Sequence, residues 1–465
     1  MQTGTAQKLL DMYQTLRENP ITFERDEAGN LLLKNDFWVD ISAGRGGPDV
    51  MKRLERFIIN SDAQDYTPII FSGPTGSGKS TELNRFMDRL STEYPIEIVS
   101  FSIAREADVQ NLLFSDLLVI LTEQLTKKML DLRFTPADKN QKWLQDWLTV
   151  SEIKEVSEKN RSISMGAEAG AKFPNILEWL ASILFTLKGE IKLNTVNKEE
   201  ITRVVTRKMN DLMEVCNLVA SELIQNLGEA GKSMIVVIED LDKLGPNRAE
   251  SVFVENAEIL QKIEAKMVYT FPNNLIYNPK AKPLIDRCNR YGLPMVKVFN
   301  KDGSVFEPGI RVLKELVYKR LSPELFESDA LVEMFVKMSG GVIRDLLRML
   351  FSAADNAMDY DRETINESDY TVAVNRLRSD YKRMIADKME GNVVRIAAID
   401  YLNVLKKIYQ EGINDPNTFT EEKEGITHSY PLLDLLHNLL VISYNDKEWV
   451  AIHPILEEVI GKKNY

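Results

Sequence analysis

Between Gly73 and Ser80 the chain reads Gly-Pro-Thr-Gly-Ser-Gly-Lys-Ser, a run of glycines that ends in a lysine and a hydroxyl. Glycines let successive backbone N–H groups converge on an anion, and a helix that follows adds the positive end of its dipole. A lysine at the end of such a loop reaches the outer phosphates of a nucleotide, and the next hydroxyl ligates a divalent cation. Lys79 and Ser80 are expected in those roles, with Gly73, Pro74, Thr75, Gly76, Ser77 and Gly78 forming the cradle and Thr81 a neighbouring hydroxyl. The chemistry is that of ATP held with Mg2+.

Such a site needs carboxylates facing the lysine. Met234 to Ile238 is a short β-branched run, and Glu239-Asp240-Leu241-Asp242-Lys243 follows it. One acid is expected to hold magnesium and another to polarise the attacking water. By position Glu239 is the magnesium acid and Asp240 the water-activating acid. Asp240 as the metal-side acid is the alternative, and Asp242 is a third candidate for a charge network. A later strand ends in Thr270-Phe271-Pro272-Asn273-Asn274, where Asn273, or Asn274 beside it, can sense the terminal phosphate. Arg287 and Arg290 follow, and in an oligomer such arginines can reach a neighbour's nucleotide. Gly340-Gly341 opens a helix that carries Arg344 in its first turn, placed to swing toward the γ-phosphate, with Arg348 one turn on.

These residues need a scaffold of strands and helices. Thr67 to Phe71 reads as a buried strand entering the glycine loop, and Lys79 to Leu90 as the helix leaving it. Further strands are expected at Ile96 to Phe101, Met234 to Ile238, Lys266 to Thr270 and Leu293 to Phe299. Helices are expected at Val50 to Ile59, Val109 to Leu130, Lys198 to Leu227 and Asn256 to Ala265. The alternation predicts an α/β fold with a parallel sheet. Residues 1–60 form a lead-in and 61–307 the ATPase core, with an insertion at about 131–200. Residues 308–390 read as a helical lid domain. Residues 391–465 read as a winged-helix-like domain, with helices at Val394 to Tyr409 and Ser429 to Leu440. Its ribbon is Val441 to Tyr444 and Trp449 to Ile452, turning at Asn445-Asp446.

Bulk properties limit the function classes. The 465 residues carry a formal charge of −12, which disfavours wholesale nucleic-acid binding. The only cysteines, Cys216 and Cys288, and the histidines His428, His437 and His453 show no metal-ligand spacing. Phe173 to Leu187 is apolar but short and contains Glu178, so a buried helix is expected rather than a membrane span. With no basic-then-apolar leader, these features point to the cytoplasm and to no integral membrane association.

Taken together, Gly73–Ser80, Val236 to Lys243 (VVIEDLDK), the strand end Tyr269 to Asn274 and Gly340 to Arg348 resemble AAA+ ATPases. The similarity is closest to the branch of origin-recognition initiators, STAND signalling ATPases and KAP-type ATPases. FWVDISAGRG before the loop also looks like bacterial defence-associated ATPases. The resemblance covers about residues 37 to 357. It implies an AAA+-like core, a sensor role for Arg344, and an adenine contact near Ala43-Gly44-Arg45. It further implies an ATP-driven switch or assembly ATPase, a homo-oligomer on ATP binding, and a companion effector protein, in antiviral defence. The glutamate-first acidic pair reverses the order usual in that class and leaves a nucleotide-dependent scaffold with little turnover as one alternative. A DNA-binding initiator is another, although VISYNDKEWVAIH offers few basic residues.

Overall fold

The computed structural model describes residues 4–23, 37–152, 175–193, 198–390, 393–419, 421–423, 426–428, 430–445 and 449–461. Five strands form one parallel sheet: β1 (Ile69–Ser72), β2 (Ile96–Ser102), β3 (Ser233–Glu239), β4 (Met267–Phe271) and β5 (Asn289–Gly292). Their order is β2-β3-β4-β1-β5, so β4 separates the strand before the glycine loop from the strand before the acids. The register pairs Ser72 with Phe271 and Ser102 with Glu239, which puts the carboxyl ends along one rim. Every residue of β1 and β4 is buried, as expected of parallel strands covered on both faces. This is the α/β core with a parallel sheet that the sequence leads one to expect.

Helices α1 (Val50–Asn60) and α2 (Lys79–Glu93) cover one face, burying Leu54, Ile58, Leu83, Phe86 and Leu90 against Ile69, Phe71, Val237 and Val268. The Asp49 carboxylate starts α1 by accepting from the N–H groups of Met51 and Lys52. The other face carries α3 (Phe114–Asp131), α4 (Asp138–Val150), α5 (Ile176–Leu193), α6 (Lys198–Arg207) and α7 (Met209–Glu229). Leu144, Leu148, Leu180, Leu184, Leu187 and Ile201 join Val236 and Ile238 in one apolar cluster. The described parts of the 131–200 insertion therefore help build the sheet's core. Residues 153–174, including Gly166 to Ala171 and Phe173, lie outside the described residues. Among the described residues no helix is long and apolar enough to cross a membrane.

Several boundaries depart from expectation for identifiable reasons. The segment Leu293 to Phe299 is not a strand, and the fifth strand is Asn289–Gly292. Leu293 N–H still bonds the Ser72 carbonyl at 2.8 Å, but Pro294 has no N–H to extend the ladder. Met295, Val296 and Val298 instead feed the lid core. The expected helix Lys198 to Leu227 breaks at Lys208, where φ is −104° and ψ 22°. The Val109 to Leu130 helix begins only at Phe114, and Asn256 to Ala265 contributes a single turn, Ala257–Leu260.

The segment expected as a lid contains the helices α8 (Glu307–Tyr318), α9 (Asp329–Met338), α10 (Ile343–Asp359) and α11 (Glu367–Met384), called the lid below for its place in the chain. Ser328 caps α9, and Asn366 caps α11 through two backbone N–H groups. Beyond it, β6 (Lys388–Glu390) and β7 (Val393–Ile396) form a hairpin, where a helix is expected from Val394; its β-branched residues fit a strand better. Helix α12 (Ala398–Tyr409), the short pair β8 (Glu421–Lys423) and β9 (Ile426–His428), α13 (Tyr430–His437) and the ribbon β10 (Val441–Tyr444) and β11 (Trp449–Ile452) complete the chain. The ribbon forms as expected; Asp446 of its turn lies outside the described residues. Val441, Ile442, Tyr444, Trp449, Val450 and Ile452 are buried in one core with the lid.

Candidate nucleotide site

After Ser72 the chain turns through Gly73–Gly78 and enters α2 at Lys79. Gly76 has φ +74°, and a Cβ there would lie 2.8 Å from Val342 Cγ1 and 3.4 Å from Arg344 Cβ. A side chain at 76 would be strained and crowded, which accounts for the glycine. Ile343 N–H donates to the Gly76 carbonyl at 3.1 Å, so the lid helix starts on the loop itself. Ser77 is buried, and its Oγ has no hydrogen-bond partner among the described residues. Lys79 Nζ donates to the carbonyls of Gly73 at 2.8 Å and Pro74 at 3.0 Å. It also pairs with Asp242 Oδ2 at 2.8 Å. The buried ammonium is held by its own loop and one carboxylate, contacts that an incoming phosphate can replace. Ser80 and Thr81 are half-buried in the first turn of α2, and Thr81 Oγ1 accepts from Ile21 N–H at 3.2 Å.

Arg45 is buried beneath the loop. Its guanidinium donates to the carbonyls of Ser77 at 2.8 Å and Pro294 at 2.5 Å, and Glu82 lies 3.6 Å away. Burial presses its pKa down while Glu82 offsets that cost. Gly44 is packed against Val312 and Val296. The packing makes Arg45 a brace of the loop.

The acids separate by what holds them. The chain leaves β3 at Glu239 and turns through Asp240 at φ +69°, a conformation that aspartate tolerates better than most residues. Thr270 Oγ1 pins this turn: it donates to the Ile238 carbonyl and accepts from Leu241 N–H, both at 3.0 Å. Asp240 accepts from Ser102 Oγ at 2.5 Å and pairs with Lys243 at 2.7 Å. Asp242, ranked third from sequence, is the acid that reaches Lys79. Burial first, then the charges of Asp240 and Asp242, pushes the Glu239 carboxyl up to about 7; Arg105 pulls it the other way. Hard oxygen donors such as these suit magnesium that arrives with a nucleotide, whose phosphates and retained waters would supply most of the remaining ligands.

Residues 49–268 match the KAP family P-loop domain. The chain thus carries a nucleotide-binding P-loop NTPase domain, spanning α1 to β4. No curated protein matches the chain significantly. Among solved structures, a Walker-type ATPase of Pyrococcus abyssi aligns over 96% of this chain and 99% of its own, at 16% identity and a TM-score of 0.41. The ORC2 protein of Aeropyrum pernix aligns over 96% of both chains at 11% identity and a TM-score of 0.36. The RuvB Holliday junction branch migration motor of Thermotoga maritima aligns over 91% of this chain and all of its own, at 12% identity and a TM-score of 0.33. Likeness at this level carries no argument about activity.

Beyond the matched span lie the other groups expected at the site. Asn273 and Asn274 open a short turn after β4, and buried Asn273 Nδ2 and Asn274 Oδ1 have no hydrogen-bond partner among the described residues. Unpaired buried polar atoms are costly, and a bound phosphate or water would satisfy Asn273. Arg290 lies on β5, the sheet's edge strand, and Arg287 is exposed just before it. Arg344 is about one-third exposed beside Gly76, and Arg348 follows it on the same face of α10.

The raised Glu239 pKa makes a pH prediction for the nucleotide-free protein. Between its ordinary 4.5 and about 7, the folded protein keeps a proton that the unfolded chain has lost. Stability therefore falls as pH rises through that window. Glu239→Gln removes the titration, so relative to wild type it should gain on the order of 1–3 kcal/mol between about pH 5 and about pH 8. Urea melts at the two pH values measure this; a pH-independent difference would contradict the burial argument.

Proposed function

We propose that this protein is an ATP- and Mg2+-binding molecular switch or assembly ATPase that hydrolyses ATP to reset itself. The observation that carries the reading is one continuous joint. The Gly76 carbonyl of the loop accepts from Ile343 N–H at the start of α10. Three residues before Ile343, the Gly340 carbonyl accepts from Tyr444 OH of the C-terminal ribbon at 2.6 Å. A nucleotide that reorganises the loop is thereby linked to the lid and the C-terminal domain together.

Within this reading Lys79, Ser80 and the loop amides bind the triphosphate, and Ser80 with Glu239 and Asp240 serves magnesium. Asp242 is the counter-charge that Lys79 exchanges for phosphate. Asn273 and Arg344 sense the γ-phosphate, and Arg287 and Arg290 act on a neighbouring subunit's nucleotide. A cytoplasmic location and a companion effector in antiviral defence accompany the reading and rest on the sequence resemblance. DNA is the less favoured partner, because the ribbon's large side chains are spent on packing against the lid. Steady phosphate release from ATP with magnesium tests the enzyme reading. Release above that of Lys79→Ala is expected; equal rates would leave a nucleotide-dependent scaffold.

A further inference from the structure

Residues 4–23 form a strap from the lid to the P-loop helix. At the lid end, Ala6 N–H donates to the Arg320 carbonyl and the Ala6 carbonyl accepts from Ser322 N–H, both at 2.9 Å. Leu9, Met12 and Leu16 are buried in the lid core. At the other end, Ile21 N–H donates to Thr81 Oγ1 at 3.2 Å, and Asn84 Nδ2 donates to the Ile21 carbonyl at 2.8 Å. Thr81 and Asn84 stand in the opening turns of the helix that begins at Lys79. Between the two anchors sits Glu18. Its Oε1 accepts from Arg348 Nε at 3.0 Å, and its Oε2 lies 3.9 Å from Arg344 Nε.

We infer that the Glu18 carboxylate stands in for the γ-phosphate on the lid arginines, and that its displacement is how the protein tells ATP from ADP. This deepens the reading of Arg344 given above and rests on it. Arg344 leaves α10 beside Gly76, its Cβ 3.4 Å from where a Cβ on Gly76 would lie, so the side chain starts from the wall of the loop that the reading above gives to the phosphates. Both groups that could fill the place are anionic acceptors, and one guanidinium cannot fully serve both. ADP lacks the phosphate that would compete, and leaves Glu18 where it is. ATP must take Arg344 from Glu18, which leaves the middle of the strap held by Arg348 alone while the Ala6 and Ile21 anchors remain. The ion pairs are partly exposed, at 42% for Glu18, 37% for Arg344 and 49% for Arg348, so they exchange readily. A pair of this kind is worth about two- to fivefold in an equilibrium constant.

The test is the affinity of the full chain for ADP and for a non-hydrolysable ATP analogue, each with magnesium, in wild type and Glu18→Gln. The variant is expected to bind the ATP analogue about two- to fivefold more tightly, with ADP unchanged. A gain in affinity cannot come from misfolding. In Arg344→Ala the same Glu18→Gln change should have no effect on the ATP analogue, because the shared partner is gone. Equal effects on both nucleotides, or none on either, would overturn the inference while leaving the nucleotide site in place. Failure of wild type to bind either nucleotide would overturn the site reading and this inference with it.

Discussion

Lys79→Ala is expected to weaken ATP binding by about 100-fold or more and to bring phosphate release to background. The ammonium is the one cation buried within the loop, with 7% of its side chain exposed, and charge-assisted bonds to phosphate are the strong ones. The same substitution also acts without nucleotide. It removes the donor shared by the Gly73 and Pro74 carbonyls and strands Asp242, whose side chain is 12% exposed. An uncompensated carboxylate and two lost hydrogen bonds cost on the order of 1–3 kcal/mol. Lys79→Ala with Asp242→Ala should recover most of that stability and none of the nucleotide affinity. Isothermal titration with an ATP analogue and a thermal melt read the two effects separately. Near-wild-type affinity in Lys79→Ala would contradict the role given to the loop.

Gly341→Ala is expected to be among the most damaging small substitutions in the lid. Gly341 has φ +85°, a conformation that strains alanine by itself, and a Cβ there would lie 1.8 Å from the Val296 carbonyl oxygen. That oxygen belongs to buried backbone leaving the sheet, and it cannot yield as a flexible side chain would. The expected cost is about 3–5 kcal/mol. The change also displaces the turn whose next residues, Val342 and Ile343, touch Gly76, so nucleotide affinity should fall with stability. Urea melts with and without the ATP analogue measure both. Unchanged stability would mean that the lid packs less tightly on the sheet than its contacts indicate.

The legibility of the sequence followed the kind of constraint at each place. The glycine loop was readable because phosphate binding demands fixed residue types at fixed spacing. Strands β1, β3 and β4 were readable because burial on both faces leaves continuous apolar runs. Strand β5 was not, since Asn289-Arg290-Tyr291-Gly292 sits at the sheet's edge and is defined by pairing with β1. The apolar Leu293 to Phe299 resembled a strand, although its residues serve the lid core. Among the acids, sequence order ranked Glu239 and Asp240 first. The left-handed turn at Asp240, invisible in the spacing, is what brings Asp242 to Lys79. Glu18 lies 330 residues from Arg348, and no local signal connects them.

The central claim is that nucleotide state at the Lys79 loop is read out as a change of assembly through the lid and C-terminal domain. Light scattering coupled to size exclusion tests it most directly, on the full chain without nucleotide, with ADP and magnesium, and with a slowly hydrolysed ATP analogue and magnesium. The account predicts larger particles with the ATP analogue alone, and their loss in Arg287→Ala or Arg290→Ala. The same mass in all three states, with the analogue shown to be bound, would contradict it.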